Sequence, residues 1–336
     1  MRKLLNDPFE VVAEMVDGLE AAYGEQIEVT PSRRGIVSRG RAASRKIGIV
    51  TGGGSGHEPA FFGYVGPGFA DGAALGNVFA SPSATPIVEV AERVDRGEGV
   101  LFLYGNYGGD VMNFSMAAAL LVDSGIRVLQ HPVADDLASA PPDRASERRG
   151  VAGGALVLKV AGARADEGAS LDEVHAAAAH ANARTRTIGV GLGPCIVPAA
   201  GRPTFELPDG SMDVGMGVHG EAGMARREIG RADDVADELL DLLLGELEPG
   251  DGESAFVLVD TLGATPLMEG LVVVRRVTQR LRDAGVAVHR ARAGEYITSL
   301  EMAGLSLTVM CLDDELRRLV DAPGRALLMP PLDEPW

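Results

Sequence analysis

Apolar residues along this chain follow two rhythms, one helical and one strand-like, that alternate from end to end. Between residues 6 and 24, Val11, Val12, Met15 and Leu19 fall on one helical face. Asn6 or Asp7 can cap that segment, and Pro8 suits its first turn. Short β-rich runs follow at 27–29 and 46–50. The second leads straight into Thr51-Gly52-Gly53-Gly54-Ser55-Gly56-His57-Glu58-Pro59. A further apolar run, 99–104, ends in Gly105-Asn106-Tyr107-Gly108-Gly109-Asp110, after which 111–121 is helical and 127–129 strand-like. Strand, loop and helix in alternation, with glycines at strand ends, predict an α/β unit with a largely parallel sheet.

From about 149 to 186 the chain is alanine-rich and helical, with a break at Asp166-Glu167-Gly168. A second series then opens with a strand at 187–192. It continues through a strand at 213–218, a helix at 232–244 and a buried strand at 255–259. A helix at 266–284, a strand at 287–290 and a last apolar stretch at 305–312 complete it. The pattern predicts two α/β domains, 1–184 and 185–336, each with a central largely parallel or mixed sheet flanked by helices. Residues 247–253 read as a solvated loop, and no internal repeat is visible.

Composition narrows the function classes. At 336 residues and 46% hydrophobic content the chain can build a substantial core, and a net charge of −17 leaves nothing to neutralise a nucleic-acid backbone or to seek an anionic membrane. Acidic residues appear too early for a secretory signal, so a cytoplasmic protein is expected. Two cysteines, Cys195 and Cys311, cannot make a disulfide framework, and Cys195 sits in an apolar run that suits packing.

Three segments carry candidate chemistry. The glycine run around Gly54, Ser55 and Gly56 can aim backbone N–H groups at a ligand, but it lacks the lysine of a P-loop and the spacing of a dinucleotide fingerprint. His57, in its midst at a strand end, favours a site over a purely structural turn. Asp110 stands at a helix start, where a plain N-cap is the ordinary alternative. Two such loops at strand ends of one parallel sheet open on one crevice, where ligands of this architecture bind. His219, in Gly217-Val218-His219-Gly220-Glu221, is bared by glycines and followed by a carboxylate. His131, His175, His180 and His289 lack such surroundings. No nucleophile-elbow motif is present, and His57, Asp110 and His219 lie in separate segments without metal-ligand spacing, so no metal site is expected.

The motifs LLNDP, TGGGSGHEPA, NVFASPS (77–83), NYGGDVMNF (106–114), RRGVAG (148–153), GPCIVPAAG (ending at Gly201), GVHGEAG and TPLMEG (265–270) occur in the order in which they stand in the dihydroxyacetone kinase family. Nearly the whole chain resembles that family's ketose-binding K subunit. The resemblance implies a usually dimeric, two-domain subunit in which His219 captures a ketone carbon as a hemiaminal, selecting carbonyl compounds over polyols. Asp110 would then act as base on the hydroxyl to be phosphorylated, with His57 assisting. Gly54, Ser55, Gly56, His57, Gly105 and Asp110 would line the substrate site. No cofactor is expected on this chain; Mg and ATP or ADP belong to a helical L subunit. Because the chain ends at Pro335-Trp336, that subunit is expected to be a separate protein. Some relatives act instead as carbonyl-sensing regulators, but a pure sensor would need only His219, so intact Asp110 and His57 favour the kinase.

The sequence also departs from the family pattern. Gly105 stands where a substrate-contacting lysine is usual, and Gly108 where threonine is. Asp260, Thr261 and Ala264 replace a more usual Asn-Gly-Leu-Gly-Gly stretch. The loss of lysine and threonine predicts a larger crevice near Asp110 and a larger ketose, such as erythrulose.

Overall fold

The computed structural model describes residues 3–40, 43–250 and 252–332, so Pro335 and Trp336 lie outside the described residues. Two six-stranded sheets form the frame. The first contains β1 (Ile27–Val29), β2 (Gly35–Ser38), β3 (Gly48–Ser55), β4 (Gly72–Val78), β5 (Val100–Gly105) and β6 (Val128–Val133), in the order β1-β2-β4-β3-β5-β6. β4, β3, β5 and β6 run parallel, while β1 and β2 add an antiparallel edge.

The second sheet contains β7 (Thr185–Gly193), β8 (Ser211–Val214), β9 (Ala225–Glu228), β10 (Ser254–Thr261), β11 (Ala287–Gly294) and β12 (Ala303–Leu312), in the order β11-β10-β12-β7-β8-β9. It is mixed rather than largely parallel: only β10 and β11 run parallel, joined by the crossover helix α7 (Leu267–Asp283), and every other pair is antiparallel. Both sheets have flanking helices, as the alternating pattern predicts.

Helix α1 (Val11–Tyr23) begins later than the capping residues imply. Asp7 accepts the Phe9 N–H at 2.9 Å and closes a separate turn, and Asn6 reaches the Glu14 carboxylate, so neither caps the helix. α2 (Ala84–Val94) was not predicted. Pro86 and the β-branched Ile87, Val88 and Val90 give it poor intrinsic helicity, and burial of Ile87, Val90 and Val94 against the sheet overrides that. β2, β4 and β9 also escape the sequence pattern, because they are short or, in β4, built from glycine and alanine.

α2 and α3 (Gly108–Asp123) cover one face of the first sheet. On the other lie α4 (Gly153–Asp166) and α5 (Leu171–Ala183). Helix α4 is the hinge of the architecture. Eleven of its 14 residues are buried, because it packs against β3 and β5 on one side and against β10, β12 and α8 (Asp314–Asp321) on the other. Its alanines and glycines permit that approach: a Cβ on Gly162 would lie 2.3 Å from the Gly68 carbonyl oxygen. Buried Lys159 turns its ammonium onto the Leu319 and Ala322 carbonyls at the end of α8, where a cation suits the helix dipole. α6 (Ala232–Leu244) and α7 close the outer face of the second sheet.

Among the described residues, the first sheet takes no strand from beyond Val133 and the second none from before Thr185. The core nevertheless runs through both halves. Past α8 the chain returns to the first half, where Arg325, Leu327 and Met329 donate backbone hydrogen bonds to Pro67, Val65 and Gly63. Among the described residues, no helix is long and apolar enough to cross a membrane.

Candidate functional site

The glycine run is the end of a strand rather than a loop. β3 continues through Gly52-Gly53-Gly54-Ser55, since bare backbone there lets neighbours close in: a Cβ on Gly53 would stand 2.1 Å from the Phe61 ring. β5 ends at Gly105 beside it. At the carboxyl ends of these adjacent parallel strands lies a cavity whose lining includes Gly54, His57, Gly105, Tyr107, Asp110 and His219. The structure thus gathers both histidines, the aspartate and two of the expected glycines. Ser55 and Gly56 fall outside the lining. Ser55 donates its hydroxyl to the Gly76 carbonyl at 2.8 Å, and the Gly56 N–H is spent on Glu58 at 2.9 Å. Gly56 instead makes the turn, with φ +96°.

His219 reaches the cavity from the other half of the chain. The expected strand at 213–218 stops at Val214, because Gly215 takes φ +83° and starts a loop. There His219 Nε2 comes within 3.1 Å of His57 Nε2. Each ring is held from behind. His57 Nδ1 donates to the Thr298 carbonyl at 2.7 Å, and His219 Nδ1 donates to Glu221 Oε1 at 3.1 Å. With both Nδ1 atoms committed as donors, the two facing Nε2 atoms need one proton between them. Burial, reinforced by the neighbouring His219, pushes His57 down to about 3. Burial alone would raise Glu221, but its hydrogen bond to His219 and the nearby positive charges take it down to about 2. Rings frame the pair: Phe79 stacks on His57 at 4.8 Å, and Tyr107 stands edge-on to His219 at 5.0 Å.

Asp110 is no helix cap. Tyr107 occupies the N-cap of α3, and Asp110 lies three residues inside, buried, with Oδ1 lacking a hydrogen-bond partner among the described residues. Burial raises its carboxyl to about 6, although a hydrogen bond with Ser81 and the charge of His219 pull the other way. A buried carboxylate with a free oxygen facing a cavity is poised to accept a proton.

The departures from the family pattern have physical consequences. Gly108 is exposed on α3, with open space where its side chain would start, so it does not enlarge the crevice. At Gly105 a Cβ would sit 3.2 Å from the Tyr107 ring and 3.3 Å from the Gly150 carbonyl oxygen, so Tyr107 borders the space a side chain there would enter. Among the described residues, neither lysine nor arginine lines the cavity. Asp260 is buried at the end of β10, where burial raises it to about 8 although it accepts the Tyr296 and Ile297 N–H groups. Thr261 and Ala264 line a separate groove.

A sequence family described as the Dak1 domain matches residues 17–328. The chain belongs to the Dak1 family. It is 44% identical over 324 residues to the PTS-dependent dihydroxyacetone kinase 2, dihydroxyacetone-binding subunit DhaK, of Listeria innocua, covering 96% of this chain and 97% of that one. It is 43% identical over 330 residues to the L-erythrulose kinase of Pectobacterium atrosepticum, covering 97% of this chain but 56% of that longer protein. Among solved structures, the dihydroxyacetone kinase operon co-activator DhaQ superposes with a TM-score of 0.88 at 30% identity, covering 98% of this chain and 99% of the other.

Several residues that shape this Dak1 site were not singled out in the sequence. Thr298, Phe79 and Tyr107 show their function only in three dimensions; Thr298 is 241 residues from the histidine it holds. Two of them had a signal, since Phe79 and Tyr107 sit inside the motifs at 77–83 and 106–114. The remaining histidines have ordinary roles or partners: His180 pairs with Asp313 at 2.6 Å and His289 with Asp321 at 2.9 Å, while His131 and His175 stand edge-on at 5.7 Å. Cys195 is buried in a small cluster with Leu262 and Met302. Among the described residues, no three His, Cys, Asp or Glu side chains are grouped to hold a metal.

Proposed function

We propose that this chain is the ketose-binding subunit of a dihydroxyacetone-type kinase, acting on dihydroxyacetone or a larger ketose such as erythrulose. The observation that carries this reading is the meeting of His219, His57 and Asp110, whose Oδ1 has no partner among the described residues, around one cavity. As the ketone enters, the proton shared by the two Nε2 atoms moves to its oxygen and frees the His219 lone pair. The N–C bond forms as the C=O π bond opens to give the hydroxyl. The hemiaminal therefore forms with no net gain or loss of protons. Asp110 then accepts the proton of the hydroxyl as the hydroxyl oxygen bonds to the incoming phosphorus and the bond to the phosphoryl donor breaks, releasing that donor.

The nucleotide, as ATP or ADP with Mg, would be supplied by a separate L subunit. Support for a separate subunit comes from the near-complete coverage of the Listeria K-type relative. A homodimer in the cytoplasm completes the proposal. The likeness to DhaQ raises a second reading, a carbonyl-sensing co-activator. Intact Asp110 favours the kinase, because sensing requires only capture. Mass spectrometry of the native protein with candidate ketoses, without borohydride, tests capture as a reversible adduct. Turnover after adding an L subunit separates kinase from sensor.

Substrate size follows from Gly105. Without a cationic donor at that position a triose loses a charged hydrogen bond, typically worth about 1.5–3 kcal/mol. Erythrulose is expected to exceed dihydroxyacetone in kcat/KM, and Gly105→Lys, once Tyr107 has yielded, to shift preference back. A competition assay with both ketoses decides this, and a clear preference of the unmodified protein for dihydroxyacetone would refute it.

A further inference from the structure

The adjacent arginines of the motif at 148–153 have no part in capture or transfer, yet both reach from the first half of the chain into the second. Arg148 forks onto Glu246 just past α6, at 2.6 and 2.7 Å. Arg149 turns towards the His219 loop. Its Nε and Nη2 lie 2.9 and 2.8 Å from Asp136 Oδ2, beyond the end of β6. Nη2 also donates to the Gly215 carbonyl at 3.5 Å, and Nη1 stands 3.6 Å from Glu221 Oε2.

Both oxygens of Glu221 are engaged with His219, Oε2 accepting its backbone N–H at 3.0 Å and Oε1 its Nδ1–H at 3.1 Å. Gly217 makes this possible. A Cβ there would lie 2.3 Å from Arg149 Nη1 and 2.3 Å from Glu221 Oε2, so the loop is bare where guanidinium and carboxylate meet. The carboxylate is part-exposed, and without the arginine it could turn out to water.

We propose that Arg149, anchored by Asp136, is a positioning residue that holds Glu221 so that Nδ1 of His219 keeps its proton and Nε2 faces the cavity. The inference rests on the reading of His219 as the nucleophile. A nucleophilic imidazole works only when a third group fixes its orientation and tautomer. Here that third group is itself held by a fourth, across the junction of the two halves.

The test uses Asp136→Asn/Arg149→Met, because Arg149→Met alone would leave a buried aspartate unpaired and threaten the fold. Nitrogen-15 NMR of the ligand-free chain reads the His219 ring directly: the native ring is expected to show a fixed Nδ1–H, and the double variant a mixture of tautomers. With the complete kinase, KM for the ketose is expected to rise about 10–100-fold, the cost when a metal-binding histidine loses its outer partner, while kcat at saturation changes little. Arg149→Lys should recover only part of the loss, since an ammonium cannot fork between two carboxylates. An unchanged tautomer signal with KM within about twofold of native, on this same scale, overturns the proposal. So does a loss of binding that merely tracks loss of folded protein. If the native chain captures no ketone at all, the nucleophile reading fails, and the NMR result still decides whether Arg149 sets the ring.

Discussion

His219→Ala is expected to abolish ketose capture and to lower phosphorylation by at least about 10²–10⁴-fold, while the protein stays folded. The imidazole supplies the only covalent bond between protein and substrate in the proposed mechanism. Removing it leaves the ketone with hydrogen bonds alone, and a polyol can make those equally well. Folding should tolerate the change. The residue lies in a glycine-rich loop, is only part-buried, and packs edge-on against Phe79 and Tyr107 instead of filling either core. Its loss also leaves no stranded charge, because Glu221 still has Arg149 at 3.6 Å and water on its open side. Native mass spectrometry with and without ketose, beside a melting curve, separates the two effects. An alanine variant that binds the ketose as tightly as the native protein would show that capture is not covalent.

The same loop shows how much of the site was legible. A histidine among glycines with a carboxylate two residues later marked His219 from sequence alone, because bare backbone and a nearby orienting group are what an accessible imidazole needs. His57 and Asp110 were visible for a related reason: each follows the end of a parallel strand, and β3 and β5 prove to be neighbours. The glycine run misled in detail. Its glycines suggest a cradle of free N–H groups, whereas Gly56 spends its own on Glu58 and Ser55 turns its hydroxyl into the sheet. No local pattern distinguishes an N–H aimed at a ligand from one satisfied two residues away.

The direction of each strand in the second sheet was illegible for another reason. Strand periodicity reports which residues face a core, and β7, β10 and β12 show it clearly, but it carries nothing about direction. Direction depends on connections. The helix between β10 and β11 makes that pair parallel, while the loop before β12 returns the chain antiparallel against β10. That loop also carries Thr298, so the antiparallel return of β12 is what brings a backbone acceptor behind His57.

Asp110→Asn is expected to leave capture intact and to reduce phosphoryl transfer by about 10²–10⁴-fold, the usual size of a general-base contribution. In the native enzyme the base must be ionised, so with a carboxyl at about 6 turnover should rise with pH through that value and level off above it. Stability runs the opposite way. Burial lifts the folded-state pKa of Asp110 above its unbound value of 3.8, so the folded protein prefers the neutral acid. Its contribution is fully present below pH 3.8 and is lost as pH rises through about 6, where keeping the charge costs on the order of 2–3 kcal/mol. An uncharged asparagine escapes that cost. The variant should therefore melt at or above the native temperature at pH 7–8, and the difference should vanish near pH 4. A helix cap would behave differently, because its loss destabilises by about 1 kcal/mol and spares turnover. Melting temperature across pH and single-turnover rate, measured on the same samples, distinguish the two. A variant that melts lower at pH 7–8 and turns over normally would remove Asp110 from the chemistry.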